Sequence, residues 1–221
     1  MSLPITPPPA EGESQPIESA ADASTNAKSS AFRKKSTGFI FETVQVILIS
    51  LAIILPVRYF LIQPFYVKGA SMEPNFHDQQ YLIIDELSYR TGSPQRGDVV
   101  VFRYPLDPKE FFIKRVIGLP GETVEVANGK VKIENDAHPN GFILDESPYL
   151  TNVTTSGNRV VTLTGDQYYL LGDNRPESLD SRIFGPVDRS LLIGRVWVRG
   201  YPFDQWTVFH HLTYPTATST P

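Results

Sequence analysis

The sequence predicts a mostly β domain preceded by one transmembrane helix. Three observations support this fold class. Residues 39–62 form one apolar stretch, "FIFETVQVILISLAIILPVRYFLI". After residue 63, short runs rich in Val, Ile, Tyr and Phe alternate with Gly, Pro, Asn and Asp turn signals, which is typical of strands. No stretch there repeats its apolar residues every 3.6 positions, as an amphipathic helix would.

The first 38 residues are predicted to be a disordered tail with a basic flank. Residues 1–31 are rich in Pro, Ser, Ala and Glu and have almost no large apolar side chains, so they cannot bury enough surface to offset the entropy of ordering. Arg33, Lys34 and Lys35 follow. The positive-inside rule therefore places residues 1–38 in the cytoplasm or stroma, and the β domain across the membrane in a periplasm, an extracellular space or a thylakoid lumen.

The apolar stretch is predicted to be a retained, single-pass transmembrane anchor in contact with membrane lipid. As a helix, residues 39–62 would rise about 36 Å, which exceeds a bilayer core of roughly 30 Å. Glu42 and Arg58 would then lie near the two interfaces. A buried core helix and a cleaved signal peptide are alternatives. The sequence that follows, "QPFYVKG", has no small-residue cleavage site, which favours the anchor.

Residues 63–211 are predicted to form the β domain. The dipeptide at 128–129, Asn-Gly, lies between two alternating runs and is a strong hairpin signal. We expect this hairpin to form a small insertion at about 119–165. Residues 212–221 are expected to be a second disordered tail.

Composition excludes several classes of function. The formal charge is −4, from 20 basic and 24 acidic residues without long runs, so no nucleic-acid partner is predicted. The chain has no cysteine, and its four histidines lack metal-ligand spacing. We therefore predict neither a metal nor another cofactor.

Ser71, in "GASMEP", is a candidate nucleophile if a base can take its proton. The histidines at 77, 138, 210 and 211 stay possible partners, since sequence alone does not exclude an approach in space. Lys114, in "FFIKRVIG", is the stronger candidate. On a strand it shares a face with Phe112, whereas Ile113 and Arg115 lie on the opposite face.

Burial is what Lys114 would need in order to act as a base. At an ordinary lysine pKa of about 10.4, less than about 1% of the molecules have a neutral Lys114 amine near pH 7. Apolar surroundings lower a lysine pKa by up to several units and so leave a neutral amine. The alternative is a solvated lysine that protects the edge of a sheet.

Four stretches in order, "VKGASMEP", "RGDVVVF", "FIKRVIGLPGE" and "GDNRPESLDSR", resemble the bacterial type I signal peptidases. The resemblance covers roughly residues 39–209, and it implies a signal-peptidase-like β domain in which a Ser/Lys dyad removes signal peptides from exported precursor proteins. The partners so implied are those precursors and membrane lipid, and we expect a monomer. By the same resemblance Ser71 is the nucleophile and Lys114 the general base.

The resemblance also implies supporting roles. Ser178 would orient the lysine, while Asp180 and Arg182 would brace the site. Asp173 would pair with Arg115, in keeping with the opposite-face geometry.

Oxyanion and substrate contacts follow from the same alignment of motifs. Some family members carry a serine two places before the nucleophile that helps to bind the oxyanion, and Gly69 stands there in this chain. The oxyanion site would therefore involve the Ser71 N–H and the backbone at Gly69. The candidate walls of the pockets for small substrate side chains are Val67, Met72, Phe76, Phe112 and Ile113.

Three alternatives to this function stay open at this point. A self-cleaving Ser/Lys regulator would need a DNA-binding or partner domain, and none is visible in the sequence. An inactive membrane-anchored β adaptor would not depend on Ser71 or Lys114. A histidine-based relative would carry His where this chain has Lys114.

Overall fold

The computed structural model describes residues 39–55, 63–151, 154–212 and 214. The predicted N-terminal tail, 1–38, lies outside the described residues. Helix α1 covers 39–55. Among the described residues, no helix combines the length and the apolar character that crossing a bilayer requires. The rest of the predicted anchor, 56–62, also lies outside them, so the anchor stays a prediction.

The domain after α1 is mostly β, as predicted, and it contains two sheets. Strands of the larger sheet are β1 (Gln63–Tyr66), β2 (Tyr81–Asp85), β3 (Val99–Tyr104), β4 (Asp107–Gly118), β9 (Gln167–Leu171), β10 (Val187–Asp188), β11 (Leu192–Tyr201) and β12 (Thr207–Val208). Their order is β1-β2-β11-β3-β4-β9-β10, with β12 beside β11. The described pairs are antiparallel. Two short helices, α2 (Leu87–Thr91) and α3 (Ser181–Phe184), follow β2 and precede β10.

The smaller sheet has four strands rather than the single hairpin that we predicted. It consists of β5 (Thr123–Ala127), β6 (Lys130–Asn135), β7 (His138–Ile143) and β8 (Arg159–Thr162), in the order β7-β6-β5-β8. The predicted β5–β6 hairpin is present, with Asn128 and Gly129 both at positive φ, as its two-residue turn requires. A lone hairpin leaves both of its edges unpaired. Here β7 and β8 pair with those edges.

Three clusters of apolar side chains fill the domain, and two of them matter for the site. The first core lies near Ser71 and contains Val67, Met72, Phe76, Leu82, Ile84, Val99, Val101 and Val196. The second core joins the smaller sheet to β4 and β9, and contains Ile117, Val124, Val126, Val131, Ile133, Leu144, Tyr149, Leu150, Leu163, Tyr169 and Leu171. Alternating burial along β5, with Val124 and Val126 inside, shows how the strand period builds this core.

The C-terminal segment is partly packed, in contrast to the predicted tail from residue 212. Leu212 and Tyr214 lie against the second core. Their apolar surface explains the difference, since burial stabilises an ordered segment where neighbouring polar residues would not. Residues 213 and 215–221 lie outside the described residues.

Candidate active site

Ser71 lies in a turn after β1, and the loop after β9 fixes its backbone. The backbone N–H of Asn174 donates to the Ser71 carbonyl oxygen at 3.1 Å, and its side-chain Nδ2 donates to the Ala70 carbonyl oxygen at 3.0 Å. The turn is closed locally by the Phe76 N–H, which donates to the Met72 carbonyl oxygen at 2.9 Å. These bonds hold the backbone of Ser71 while its side chain stays partly accessible.

Lys114 reaches the Ser71 hydroxyl from β4. Its Nζ lies 2.7 Å from Ser71 Oγ and donates to the Ile113 carbonyl oxygen at 2.7 Å. Lys114 is only 3% exposed. Burial lowers the pKa of Lys114 to about 8, although the carboxylates of Asp180 and Asp173 act in the opposite direction. A substantial fraction of the amine is therefore neutral near pH 8.

The opposite face of β4 carries a buried ion pair. Arg115 donates through Nε and Nη2 to the two carboxylate oxygens of Asp173, at 2.8 and 2.6 Å, so the predicted contact is present. Asn75 Nδ2 donates to the same carboxylate at 2.9 Å. This pair joins β4 to the loop that carries Asn174, and it therefore fixes Lys114 and Ser71 relative to each other.

Asp180 and Arg182 form a second ion pair beside the site. Arg182 donates through Nε and Nη2 to Asp180, at 2.8 and 2.7 Å. Asp180 also accepts from the Gly172 N–H at 3.1 Å and from the Arg182 N–H, so that it caps α3. Both residues thus brace the loop that begins at Gly172.

Ser178 does not hold Lys114 by a hydrogen bond in this structure. Its Oγ is buried and has no hydrogen-bond partner among the described residues. Ser178 instead packs over Gly172, whose missing side chain leaves the space that Ser178 fills. The orienting role that the resemblance implied therefore has no hydrogen bond to support it.

Gly69 is not available as an oxyanion donor, which corrects the expectation for this position. Its N–H donates to Asp78 Oδ1 at 2.8 Å. Gly69 has a φ of +85°, a conformation that favours glycine and turns the chain towards Ser71. No hydrogen bond engages the Ser71 N–H within the described part of the chain, so it is the donor that stays available.

A groove of about 660 Å³ runs past Ser71 and Lys114. Three of the five predicted wall residues, Val67, Phe112 and Ile113, line it. Met72 and Phe76 do not. Each is 1% exposed and belongs to the first core, because the turn after Ser71 directs both side chains inward. Lining residues that sequence reasoning missed are Phe65, Tyr66, Lys68, Ala70, Leu82, Val101, Glu110, Phe111, Glu177 and Leu179.

Comparison with known proteins identifies the family of this chain. Residues 40–201 match the family model described as "Signal peptidase, peptidase S26". The chain belongs to the signal peptidase family. It is therefore a serine endopeptidase.

Similar proteins come from several bacteria. A probable signal peptidase I-2 from Synechocystis sp. is 41% identical over 66% of this chain and 66% of its own length. A signal peptidase I from Leptolyngbya laminosa is 35% identical over 81% of this chain and 88% of its own length. The crystal structure of a signal peptidase I from Enterococcus faecalis V583 shares 32% identity, with a TM-score of 0.39 over 47% of this chain and 97% of that chain.

In this member of the signal peptidase family, Arg175 and Glu146 also support the site, and sequence reasoning missed both. Arg175 is 1% exposed and donates through Nε to the Gly172 carbonyl oxygen at 2.9 Å. It also forms an ion pair with Glu146, in the loop after β7, and donates to Thr155 Oγ1. The available signal was the position of Arg175 inside "GDNRPESLDSR". Nothing in the sequence pointed to Glu146 as its partner.

Gly172→Ala is expected to reduce activity of this signal peptidase family member by about tenfold to a hundredfold, as misplacement of reacting groups does. A methyl group there would lie 2.5 Å from the Ser71 carbonyl oxygen and from Ser178 Cβ, so the backbone of Ser71 must shift. Steady-state cleavage of a precursor measures the effect. Gly165→Ala is the matched control, because a methyl group there meets nothing within 4 Å. Equal activity of the two variants would contradict the prediction.

Proposed function

We propose that this protein is a membrane-anchored endopeptidase that removes N-terminal signal peptides from exported precursor proteins, with Ser71 as nucleophile and Lys114 as general base. The observation that carries the proposal is the 2.7 Å separation of Ser71 Oγ from a buried Lys114 Nζ at the wall of an open groove. A neutral amine at this distance can take the hydroxyl proton directly.

The reaction proceeds in two halves. Lys114 takes the proton of Ser71 as Oγ attacks the scissile carbonyl carbon, and the Ser71 N–H stabilises the oxyanion. The ammonium of Lys114 then gives the proton to the leaving amine, which leaves an acyl-enzyme. Neutral again, Lys114 takes a proton from water as the water oxygen attacks the ester carbon. It then gives this proton to Ser71 Oγ as the bond between Oγ and the acyl carbon breaks, which restores both residues.

The shape of the groove supports binding of an extended substrate. β4 pairs with β3 along most of its length, but with β9 only from Arg115 onward. The other edge of residues 110–113 is therefore unpaired within the described chain and can accept a substrate strand. Val67, Phe112 and Ile113 then offer apolar surface to small side chains at the first and third positions before the cut.

The anchor belongs to this proposal as well. If residues 39–62 cross the membrane once, the protein and its precursors share one bilayer, which raises their effective concentration. The N-terminus would then lie in the cytoplasm or stroma and the β domain on the trans side.

The test is cleavage of a purified precursor by the full chain in detergent, with the new N-terminus mapped by mass spectrometry. We expect one cut after a small-x-small sequence, and loss of cutting when the residue before the cut is changed to phenylalanine. His77→Ala serves as control, since His77 is exposed and lies 3.6 Å from Glu73. Cleavage of the chain itself would indicate a self-cleaving regulator, and no cleavage an adaptor. Loss in the His77 variant would transfer the role of base to histidine.

A further inference from the structure

The C-terminal strap, which we define as residues 209–212 with Tyr214, contacts both cores and the turn at 97–98. It begins after β12, where the Phe209 N–H donates to the Trp197 carbonyl oxygen at 2.8 Å. The Phe209 ring lies 4.9 Å from the Phe76 ring, in the first core. Leu212 and Tyr214 pack against the second core. The strap therefore contacts both of these apolar clusters.

His211 completes the hydrogen bonding of the buried Asp98 carboxylate. Its Nδ1 lies 2.7 Å from Oδ1 of Asp98, which is 5% exposed. The other oxygen, Oδ2, accepts from the Tyr89 hydroxyl and from the Gln95 N–H, both at 2.9 Å. His211 thus supplies a partner for the Asp98 oxygen that these two donors leave open.

Tyr214 packs against Gly97, whose carbonyl oxygen binds Arg115. A methyl group on Gly97 would lie 2.9 Å from the Tyr214 ring and 3.0 Å from Leu212 Cβ, so the strap lies directly on this backbone. The Gly97 carbonyl oxygen accepts from Arg115 Nη1 at 2.9 Å. Contact with Tyr214 therefore limits the movement of the atom that positions the guanidinium.

The turn at 97–98 is also bonded to β4 itself, two residues beyond Lys114. The Gly97 N–H donates to the Val116 carbonyl oxygen, and the Val116 N–H donates to the Asp98 carbonyl oxygen, each at 2.8 Å. Any displacement of this turn is therefore transmitted to the strand that carries Lys114, and through Arg115 to Asp173.

We propose that the C-terminal strap is a positioning element, in which Tyr214 and His211 clamp the turn at 97–98 and so keep Lys114 in contact with Ser71. Neither residue touches the reacting atoms. This inference rests on the proposed function, because it assigns the strap to the same Ser/Lys reaction. It also gives the C-terminal segment a role that the predicted disordered tail would not have.

Three chain lengths test the strap. The full chain is compared with one that ends at Val208 and one that ends at Tyr214, by cleavage of the same precursor over a range of pH. Ending at Val208 is expected to lower kcat by about tenfold to a hundredfold with little change in KM. The pKa obtained from the pH profile of this shorter chain should also rise above about 8. Burial is the largest cause of the lowered pKa of Lys114, and a displaced Lys114 would be less buried. The chain ending at Tyr214 should match the full chain.

Single substitutions decide the outcome if the shorter chain does not fold. Tyr214→Ala and His211→Ala should reproduce the lower kcat and the higher kinetic pKa. Tyr214→Phe should restore both, because phenylalanine keeps the ring that lies against Gly97. His210→Ala is the matched control for His211, since both histidines are exposed but only His211 bonds to Asp98.

The full chain separates failure of the inference from failure of the proposed function. If the full chain cleaves no precursor, the proposed function fails. If it cleaves and the Tyr214→Ala and His211→Ala variants keep its kcat and pH profile, with or without lower thermal stability, the strap is only structural and the inference is overturned.

Discussion

Lys114→Met is expected to lower precursor cleavage by at least about a thousandfold, the upper range of what a general base contributes. Methionine has nearly the length of lysine and suits the buried site, but it cannot take the Ser71 proton across the 2.7 Å contact. Ser71→Ala should be at least as inactive, and the double variant no worse than either, because the proposed mechanism uses the two residues as one unit. Steady-state kinetics on a purified precursor measure all three.

The pH dependence of the unsubstituted protein should identify the same group. In the proposed mechanism the neutral amine is the base, so the rate should rise with pH through about 8, the lowered pKa of Lys114. The unfolded chain keeps its lysine proton up to the ordinary value of 10.5. Burial of Lys114 therefore opposes folding below about pH 8, and this cost declines as the pH rises from about 8 to 10.5.

Stability distinguishes lost chemistry from lost structure in the Lys114→Met variant. At pH 7 methionine removes the cost of burying a charged amine, so the free energy of unfolding should be equal to or higher than that of the unsubstituted protein. Activity above a tenth of the original in this variant would exclude Lys114 as the base. A stable, inactive protein is the expected result.

Arg175→Met is expected to lower the free energy of unfolding by about 3–5 kcal/mol, as removal of one partner from a buried ion pair does. The substitution leaves the Glu146 carboxylate, whose side chain is 14% exposed, without its ion-pair partner. The Gly172 carbonyl oxygen loses the Arg175 Nε donor as well. Urea unfolding of the full chain in detergent measures the change.

Arg159→Met is the matched control for Arg175, since Arg159 is exposed on β8. It should change the free energy of unfolding by at most about 0.5 kcal/mol. Adding Glu146→Leu to Arg175→Met should recover part of the loss, because no unpaired carboxylate then stays buried. If Arg175→Met and Arg159→Met have the same stability, the ion pair does not stabilise the domain.

Features that depend on local sequence could be predicted. The alternation of β4 placed Lys114 and Arg115 on opposite faces, and the structure has them there, with Arg115 bound to Asp173. The hairpin at Asn128 and Gly129 was predictable because the turn requires positive φ at adjacent residues.

Features that depend on distant contacts could not be predicted. The Gly69 N–H donates to Asp78, which lies nine residues later in the chain. No local sequence pattern predicts that hydrogen bond. Met72 and Phe76 lie in an irregular turn, where no strand or helix period assigns side chains to a face. Glu146 and Arg175 look like solvated charges in the sequence and become partners only when the two sheets come together.

β7 shows how local preference can mislead about an element. Its sequence, "HPNGFI", contains a proline and a glycine, which disfavour a strand interior. The structure pairs it with β6 at the edge of the smaller sheet, where such residues are tolerated. Tertiary pairing therefore outweighed propensity, and the predicted hairpin became a four-stranded sheet.

The order of side chains along β4 makes strand length a determinant of the chemistry. Inserting one residue between the turn that joins β3 to β4, at 105–106, and Lys114 would reverse the faces that Lys114 and Arg115 present. Ile113, whose side chain cannot take a proton, would then lie beside Ser71, and the Lys114 amine would meet the Asp173 carboxylate, which keeps an amine charged. Such a chain would retain every side chain of the site and still hold no base beside Ser71.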